Sequence, residues 1–429
     1  MLGLLHGPKW LVATALAAVL ATGAVAGEAS ARPLTTGFYD PVLFEPALAA
    51  KRAVNLQRAR ASGSAIVRIQ VIWKGVAESR PIAPRNPADP AYQWGGTDNA
   101  VEAAVFNDQS VVLEFQNAPA WAEGADRPGG PTRNGVWKPR PADVADFATA
   151  LARRYSGRFV DPVHGLLPRV RFYEIWNEPN IDRHLQPQWV RSGGQLRPAS
   201  PDHYRKMLNA AYTAVKGVNP NNVVISAGTA PYGDPPGGPR MAPALFVREL
   251  LCLNRSLQPT SCPDPAHFNA LAHHPYNNSN PPSYRAVNRD DVAVADVREK
   301  IREPLKAAQR TGRALPAGNK PLWATEFGWE SRSLSEATQA RWLQEGFYRL
   351  WQQGVSTVTW FRVIDVPDSN ATGFERMGIY RAGGRKKPAQ RAYRFMFVGD
   401  RTGGRKVRYW GRAPASGVVA IQRRSGGRW

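Results

Sequence analysis

Short runs of apolar residues recur along the chain between positions 35 and 363, and amphipathic stretches separate them. Most runs are nearly continuous rather than alternating between apolar and polar residues, which is typical of parallel strands covered on both faces. The pattern predicts eight strands, over 35–40, 65–73, 110–117, 170–177, 222–228, 268–276, 321–329 and 355–363.

Three amphipathic stretches between these strands are clear helix candidates. They span 142–157, 201–217 and 335–354, and each ends in glycine, which is favoured after a helix C-terminus. Eight strand–helix units within 35–395 predict an α/β fold of the (β/α)₈, or TIM, barrel type. A doubly wound sheet is the alternative, but no glycine-rich phosphate loop follows the early strands.

The two ends of the chain differ from the predicted barrel. Residues 1–31 combine a lysine, a short apolar run and the sequence Ala29-Ser30-Ala31. This pattern predicts a cleaved signal peptide, and therefore a secreted, extracellular protein. Residues 396–429 are basic and glycine-rich, and they predict a β-hairpin-like tail that either packs on the barrel or begins a truncated β-domain.

Composition adds a charge and a disulfide to this picture. The chain has 56 Lys and Arg against 34 Asp and Glu, a net charge of +22, which favours anionic partners such as an acidic glycan or a cell envelope. The basic residues are scattered and no RNA-binding motif occurs, so nucleic acid is not expected as a partner. Cys252 and Cys262 lie ten positions apart, and in an exported chain they predict one disulfide.

Polar residues at the C-terminal ends of barrel strands face the reaction chamber. Five of the predicted strands supply such residues, namely Arg68, Asn177, Glu178, His274, Tyr276, Glu326 and Trp360. Glu178 and Glu326 end two different strands, so we expect them to meet across the barrel mouth. Cleavage of a glycosidic bond requires a carboxylate pair, of which one is protonated and the other ionised.

The surroundings of the two carboxylates suggest how they divide these roles. Arg68 and the Tyr276 hydroxyl are suited to keep Glu326 ionised. Glu178 is flanked in sequence by a Trp and a Pro, and this apolar setting is expected to raise its pKa. Asn177, at the same strand end, can hydrogen-bond a sugar hydroxyl beside the bond that is cleaved.

Trp176-Asn177-Glu178-Pro179 and Thr325-Glu326-Phe327-Gly328 resemble the two catalytic signatures of glycoside hydrolase clan A, the retaining (β/α)₈ glycosidases. The segment YEIWNEPN, together with Ala118-Pro119-Ala120-Trp121, resembles families 5 and 39 most closely. The resemblance spans about 35–395. Many family 39 members also carry a β-sandwich, of which the tail here would hold at most the beginning.

The resemblance implies a retaining O-glycosyl hydrolase that acts by double displacement, with Glu178 as acid/base and Glu326 as nucleophile. The sugar-site residues that it implies are Asn177, Arg68, His274, Tyr276 and Trp360. Asn177 would contact the 2-hydroxyl and Trp360 would form the floor of the −1 sugar site, while the other three would position or ionise the nucleophile. No metal or organic cofactor is implied.

Three nearby residues have other interpretations. Glu174 lies inside its predicted strand, four positions before Glu178, and is expected to form an ion pair in the bottom layer of the barrel. The pair His273-His274 could suggest a metal site, but no third ligand follows at a fitting spacing.

Four tryptophans fall on predicted mouth loops, namely Trp73, Trp121, Trp189 and Trp329. Each could stack on a sugar face or anchor its loop. Together with the long loops 76–97 and 118–140, they suggest an open cleft and endo action on a β-linked poly- or oligosaccharide. The protein is expected to be a monomer. Two alternatives share the barrel: a catalytically silent carbohydrate-binding protein, which would not need both acids, and a cell-wall transglycosidase, which would differ only in its products.

Overall fold

The computed structural model describes residues 32–43, 49–129, 134–367, 374–404, 406–414, 419–422 and 427. The predicted signal peptide, residues 1–31, lies outside the described residues, as do parts of the basic tail. Leu34–Trp429 belong to one compact unit. Within the described ranges, no helix combines the length and apolar character needed to cross a membrane.

Eight parallel strands form the central sheet. They are β1 (Thr35–Tyr39), β2 (Ile66–Ile72), β3 (Ser110–Gln116), β4 (Phe172–Ile175), β5 (Val223–Ser226), β6 (Leu271–His273), β7 (Leu322–Phe327) and β8 (Val355–Phe361). Their order is β6-β7-β8-β1-β2-β3-β4-β5, and every neighbouring pair is parallel. Parallel bridges Ile225↔Ala270 and Thr229↔His273 join the β5 and β6 regions, so the sheet closes into a barrel.

A helix follows each strand. The helices are α1 (Ala49–Ala61), α2 (Gly95–Phe106), α3 (Pro141–Arg154), α4 (Ser200–Val218), α5 (Pro243–Leu250), α6 (Glu303–Arg310), α7 (Glu336–Gln352) and α8 (Pro388–Arg394). The predicted (β/α)₈ barrel is therefore confirmed, and its three clear helix candidates correspond to α3, α4 and α7. Proline occupies the first turn of α3, α4, α5 and α8, where its missing N–H costs no helical hydrogen bond.

The tail contains an antiparallel hairpin of β9 (Met396–Gly403) and β10 (Lys406–Arg412), as predicted. On one face of this hairpin, the Trp410 ring lies 5.6 Å from the Tyr348 ring and 5.8 Å from the Trp351 ring, both on α7. Trp410 is buried by these contacts. The hairpin thus packs on the helical layer of the barrel.

The two cysteines form the disulfide that their spacing predicts. Cys252 and Cys262 are bonded, with Cα atoms 5.8 Å apart. The bridge closes the short loop that follows α5, on the outside of the barrel.

Candidate active site

Arg68, on β2, is fully buried inside the barrel and connects several acidic and polar side chains. Its Nε donates to Glu174 Oε2 at 2.6 Å, and its Nη1 donates to Glu326 Oε1 at 2.7 Å. Nη2 donates to Asn177 Oδ1 at 3.0 Å. One guanidinium therefore links three strands and compensates two buried carboxylates, which could not remain charged there alone. Glu174 does form an ion pair, with Arg68, but the same guanidinium holds Glu326 and Asn177, so the pair lies beneath the two acids and not in the bottom layer of the barrel.

Glu326, on β7, has both carboxylate oxygens engaged. Arg68 donates to Oε1, and the Tyr276 hydroxyl donates to Oε2 at 3.0 Å. Burial is the largest influence on its pKa and raises it. The positive charges of His274 and Arg68 oppose that rise and the charge of Glu178 adds to it, so that the pKa of Glu326 stays above its ordinary value.

Glu178 follows β4 and faces a basic group on each side. Its Oε1 lies 3.0 Å from His274 Nδ1, and its Oε2 lies 3.4 Å from Arg183 Nη2 and 3.7 Å from His184 Nε2. Burial raises the pKa of Glu178, but the hydrogen bond with His274 and the charges of His274, His184 and Arg183 together lower it below its ordinary value.

These pKa directions are the reverse of those expected from the sequence. Trp176 does not surround the Glu178 carboxylate, because its indole N–H donates to the His184 carbonyl oxygen at 2.7 Å and its ring packs against Phe115. The Glu178 carboxylate instead faces His274, Arg183 and His184. The environment of Glu178 is therefore set by other segments of the chain.

The backbone at the end of β4 adopts an unusual conformation. Trp176 has φ 75° and Glu178 has φ 38°, a region that non-glycine residues seldom occupy and that is common at functional sites. Two hydrogen bonds hold it: Trp176 N–H to Phe115 O and Glu178 N–H to Gly228 O, both 3.0 Å. This conformation turns the Glu178 side chain toward the barrel mouth.

His274 is fully buried between Glu178 and Thr325. Its Nδ1 lies 3.0 Å from Glu178 Oε1 and 4.0 Å from Glu326 Oε1, and its Nε2 lies 3.0 Å from Thr325 Oγ1. His274 was expected to serve the nucleophile, whereas its direct partner is Glu178. Gly228 leaves the space for the ring, since a Cβ there would lie 2.1 Å from His274 Nε2.

The two carboxylates meet across the barrel mouth. Glu178, His274 and Glu326 each offer a polar atom within 4.8 Å of the others. Retaining glycosidases place their carboxyl groups about 5–5.5 Å apart, and inverting enzymes about 6.5–9.5 Å. The same three side chains are close enough to share a cation, but the partners already present on Glu326 and on both ring nitrogens of His274 explain the cluster.

A cavity of about 720 Å³ opens at the two carboxylates, a volume in the usual range of small-molecule sites. Its polar lining includes Tyr39, Gln70, Gln116, Asn177, Tyr276 and Arg183, besides Glu178 and Glu326. Of the predicted site residues, Asn177 and Tyr276 thus face the cavity together with both acids. Arg68 and His274 lie behind them, fully buried.

Gln70 and Gln116 line the cavity but were missed in the sequence. They lie near the C-terminal ends of β2 and β3, so the strand-end rule that selected the other site residues applies to them as well. Gln116 Oε1 is buried and has no hydrogen-bond partner within the described part of the chain. Such an atom is a ready acceptor for a ligand hydroxyl.

The prediction that Trp360 forms the floor of the sugar site is wrong. Its ring packs 5.2 Å from that of Phe327, and its indole N–H donates to the Met377 carbonyl oxygen at 2.9 Å. Successive strand residues point to opposite faces. It is therefore the next residue of β8, Phe361, that lines the cavity.

Trp121 is also outside the cavity. Its indole N–H donates to the Ala77 carbonyl oxygen at 3.0 Å, and its ring meets that of Trp73 edge to face at 5.7 Å. The side chain therefore anchors one long loop to another. No tryptophan occurs among the described residues that line the cavity. Indole rings therefore do not form sugar platforms in this cavity, and they do not support the prediction of an open cleft.

A comparison with protein families adds an independent observation to this geometry. The family model described as "Cellulase (glycosyl hydrolase family 5)" matches residues 49–362, well over half of the chain and including both Glu178 and Glu326. The chain belongs to glycosyl hydrolase family 5. The clan A resemblance seen in the sequence is thereby confirmed. Among curated proteins, none matches this family 5 chain in sequence.

Solved structures share the fold at low sequence identity. A family 39 glycoside hydrolase from Bacteroides cellulosilyticus WH2 has a TM-score of 0.57 and 20% identity, over 87% of this chain and 66% of that one. A monomeric beta-xylosidase from Caulobacter crescentus CB15 has a TM-score of 0.53 and 18% identity, over 85% and 67%. A GH5_18 protein from Streptomyces cattleya, in complex with GlcNAc, has a TM-score of 0.53 and 16% identity, over 85% and 80%. The chain thus spans slightly less than two thirds of the family 39 enzyme.

Proposed function

We propose that this family 5 chain is a retaining glycoside hydrolase that cleaves O-glycosidic bonds of a β-linked oligo- or polysaccharide. In the first step the Glu326 carboxylate attacks the anomeric carbon while Glu178 gives its proton to the leaving oxygen. In the second step Glu178 takes a proton from water, which displaces Glu326 from the sugar. The observation that carries the proposal is the approach of the two carboxylates to within 4.8 Å.

The kinds of hydrogen-bond partner support this division of roles. A guanidinium only donates, so Glu326 Oε1 must be the acceptor in its contact with Arg68, and the Tyr276 hydroxyl donates to the other oxygen of Glu326. Both contacts favour an ionised nucleophile against the effect of burial. Glu178 instead meets His274 Nδ1, an atom that can accept or donate a hydrogen. A proton can therefore leave and return on the Glu178 side.

Amide groups around the cavity are suited to hold sugar hydroxyls. Arg68 fixes the oxygen of Asn177. The amide nitrogen carries two hydrogens, so besides its contact with His184 Nε2 at 3.4 Å it can donate to the sugar hydroxyl beside the cleaved bond. Gln70 and Gln116 add donors and acceptors from neighbouring strands. We infer in addition that the protein is exported, from the signal-peptide pattern in residues 1–31, and that it acts as a monomer.

A substrate panel tests the proposal. Purified protein without residues 1–31 is incubated with aryl β-glycosides and β-linked polysaccharides, and the anomeric configuration of the first product is followed by proton NMR. We expect hydrolysis with retention on at least one substrate. Inversion of configuration, or no cleavage across the panel, would contradict the proposal, and transfer products would reveal transglycosylation.

Variants of the two carboxylates test their separate roles. Glu326→Gln should lower kcat by roughly a thousandfold or more while leaving the far-ultraviolet circular dichroism unchanged. Glu178→Ala should be rescued by azide on substrates with good leaving groups, because azide can attack the glycosyl-enzyme without base assistance, and should give a glycosyl azide. The matched control is Glu345→Gln on α7, whose partner is Arg349. Full activity in either active-site variant would exclude that residue from its role.

A further inference from the structure

Glu174 acts only as an acceptor in the barrel interior. Its Oε2 accepts from Arg68 Nε at 2.6 Å, and its Oε1 accepts from the Gly228 N–H at 3.1 Å. Oε1 also lies 2.8 Å from Thr325 Oγ1. A carboxylate held by a guanidinium and an amide has no hydrogen to give, so the Thr325 hydroxyl must direct its hydrogen to Glu174.

The direction of this hydroxyl decides which nitrogen of His274 carries a hydrogen. A threonine hydroxyl has one hydrogen, and Glu174 takes it. The contact of 3.0 Å between Thr325 Oγ1 and His274 Nε2 therefore needs a hydrogen on Nε2. In a neutral imidazole the other nitrogen is then an acceptor, and in His274 that is Nδ1, which faces Glu178 Oε1 at 3.0 Å.

We infer that Thr325 and Glu174 are positioning residues for the acid/base: they fix the hydrogen of neutral His274 on Nε2, so that Nδ1 accepts the proton of Glu178. This inference rests on the proposed role of Glu178. One proton then lies between Glu178 Oε1 and His274 Nδ1. When Glu178 gives that proton to the leaving oxygen, its carboxylate faces the lone pair of Nδ1, which favours recovery of a proton from the attacking water.

The same pair is consistent with the direction of the pKa of Glu178. With the proton on Nδ1 the imidazole ring is cationic, and that charge contributes to the lowered pKa of Glu178. Among the described residues, the charged and titratable groups around the pair are Tyr39, Arg68, Glu174, Arg183, His184, His273, Tyr276 and Glu326. A change of Thr325 to valine keeps all of these groups and nearly the same side-chain shape, and it replaces the hydroxyl with a methyl group that cannot hydrogen-bond.

Nuclear magnetic resonance of the imidazole nitrogens tests the inference without reference to activity. The chain contains seven histidines, of which six remain when residues 1–31 are removed with His6; these six are labelled with ¹⁵N, and the His274 signals are assigned with His274→Asn. We expect Nε2 to be protonated in the native chain. Thr325→Val should move hydrogen toward Nδ1 and Thr325→Ser should restore the native spectrum. An unprotonated Nε2 in the native chain, or a Thr325→Val spectrum identical to it, overturns the inference.

Thr229→Val is the matched control. Thr229 is another buried threonine whose Oγ1 contacts a histidine, at 2.8 Å from His273 Nδ1. The substitution removes a hydroxyl–imidazole contact of the same kind but one that does not reach Glu178. It should alter the His273 signals and leave those of His274 in place. A change at His274 of the size seen in Thr325→Val would mean that loss of any buried hydroxyl here has that effect.

The pH dependence of kcat/KM gives a second readout, on phenyl and 2,4-dinitrophenyl glycosides of the sugar that the panel selects. Without the Thr325 hydroxyl, neutral His274 can place its hydrogen on Nδ1 and stabilise ionised Glu178. The alkaline limb of the kcat/KM profile should therefore move to lower pH by about one pH unit. The phenyl glycoside, whose leaving group needs an acid, should react about tenfold more slowly. If kcat/KM falls equally on both glycosides and the alkaline limb stays at the same pH, the positioning role of Thr325 is contradicted.

The two readouts separate this inference from the proposed function. If Glu178→Ala remains fully active, the acid role of Glu178 fails whatever the imidazole spectra show. If Glu178→Ala is inactive but native His274 carries its hydrogen on Nδ1, only the positioning role of Thr325 and Glu174 fails.

Discussion

At the level of single residues, one guanidinium serves three buried carboxyl groups. Arg68 contacts Glu174 and Glu326 directly, and its Nη2 lies 3.7 Å from Glu114 Oε2. Burial raises the pKa of Glu114 to about 8, although the charge of Arg68 opposes this. Glu114 is therefore mostly protonated at neutral pH, because burial disfavours its charged form by more than Arg68, which donates its hydrogen bonds to Glu174 and Glu326, stabilises that form. The positive charge of Arg68 therefore compensates the two carboxylates of Glu174 and Glu326.

The Tyr276 hydroxyl should tune the nucleophile. Its hydrogen bond to Glu326 stabilises the ionised carboxylate and lowers the pKa. Tyr276→Phe removes the bond, so Glu326 should take up a proton at higher pH. The acidic limb of the kcat/KM profile should consequently move to higher pH by about half a unit to one unit, and kcat/KM near neutral pH should fall roughly tenfold.

The control for this variant is Tyr173→Phe. Tyr173 is buried on β4, and its hydroxyl donates to the Val170 carbonyl oxygen at 3.2 Å. The Tyr173→Phe variant loses a buried hydroxyl of the same kind, and that hydroxyl does not contact Glu326. An acidic limb that stays in place in Tyr276→Phe, or that moves equally in both variants, would show that the hydroxyl does not tune the nucleophile.

At the level of secondary-structure elements, helix α7 both supports the barrel and receives the tail. Its N-cap is Ser335, whose Oγ accepts from the Thr338 N–H at 3.0 Å. Along the helix, Leu343 and Phe347 enter the core, and Tyr348 meets Trp410 of the hairpin. A loss of the cap should therefore be felt in stability rather than in catalysis.

Ser335→Ala should lower the free energy of unfolding by about 1 kcal/mol, and hence Tm by about 2 °C, with kcat/KM unchanged. Differential scanning calorimetry and a standard assay measure both quantities. Ser333→Ala is the companion variant, since within the described ranges the Ser333 hydroxyl contacts Ser279 and Glu330 and caps none of the helices named above. Equal stability of the Ser335 and Ser333 variants would contradict a capping contribution.

At the level of the whole molecule, the net charge of +22 should influence which polymers the protein approaches. Arg183 and Arg240 carry this positive charge to the cavity, and the Arg183 side chain is 53% exposed. Exposed charges attract an anionic polymer over roughly 10 Å at 0.1 M salt and over less at higher salt. A uronate-bearing substrate would therefore gain from this charge, and a neutral one would not.

Activity on a uronate-bearing β-glycan should fall severalfold in kcat/KM between about 0.05 M and 0.5 M sodium chloride, with little change on a neutral β-glycan. Reducing-sugar release at matched polymer concentrations measures both. Arg183→Gln should flatten the salt dependence on the acidic substrate. The same salt dependence on both polymers would mean that the charge plays no part in substrate choice.

The sequence by itself determined the barrel and the positions of its two acids. Continuous apolar runs and amphipathic stretches are local features, because burial on both faces of a strand or one face of a helix selects them directly. The placement of Glu178 and Glu326 follows from the rule that parallel strands end at one mouth. That rule also reaches Gln70 and Gln116, which the sequence alone did not single out.

Only the tertiary structure decided the environment of those acids. Thr325 and Glu174 are 151 positions apart in the chain, and their contact exists because the closed barrel brings β4 and β7 together. The orientation of Trp360 away from the sugar site, and the contacts of Glu178 with His274 and Arg183, depend likewise on which face a residue presents once the barrel is closed. A pKa reflects every charge and dipole within a few ångströms, and most of these come from segments that are distant in sequence.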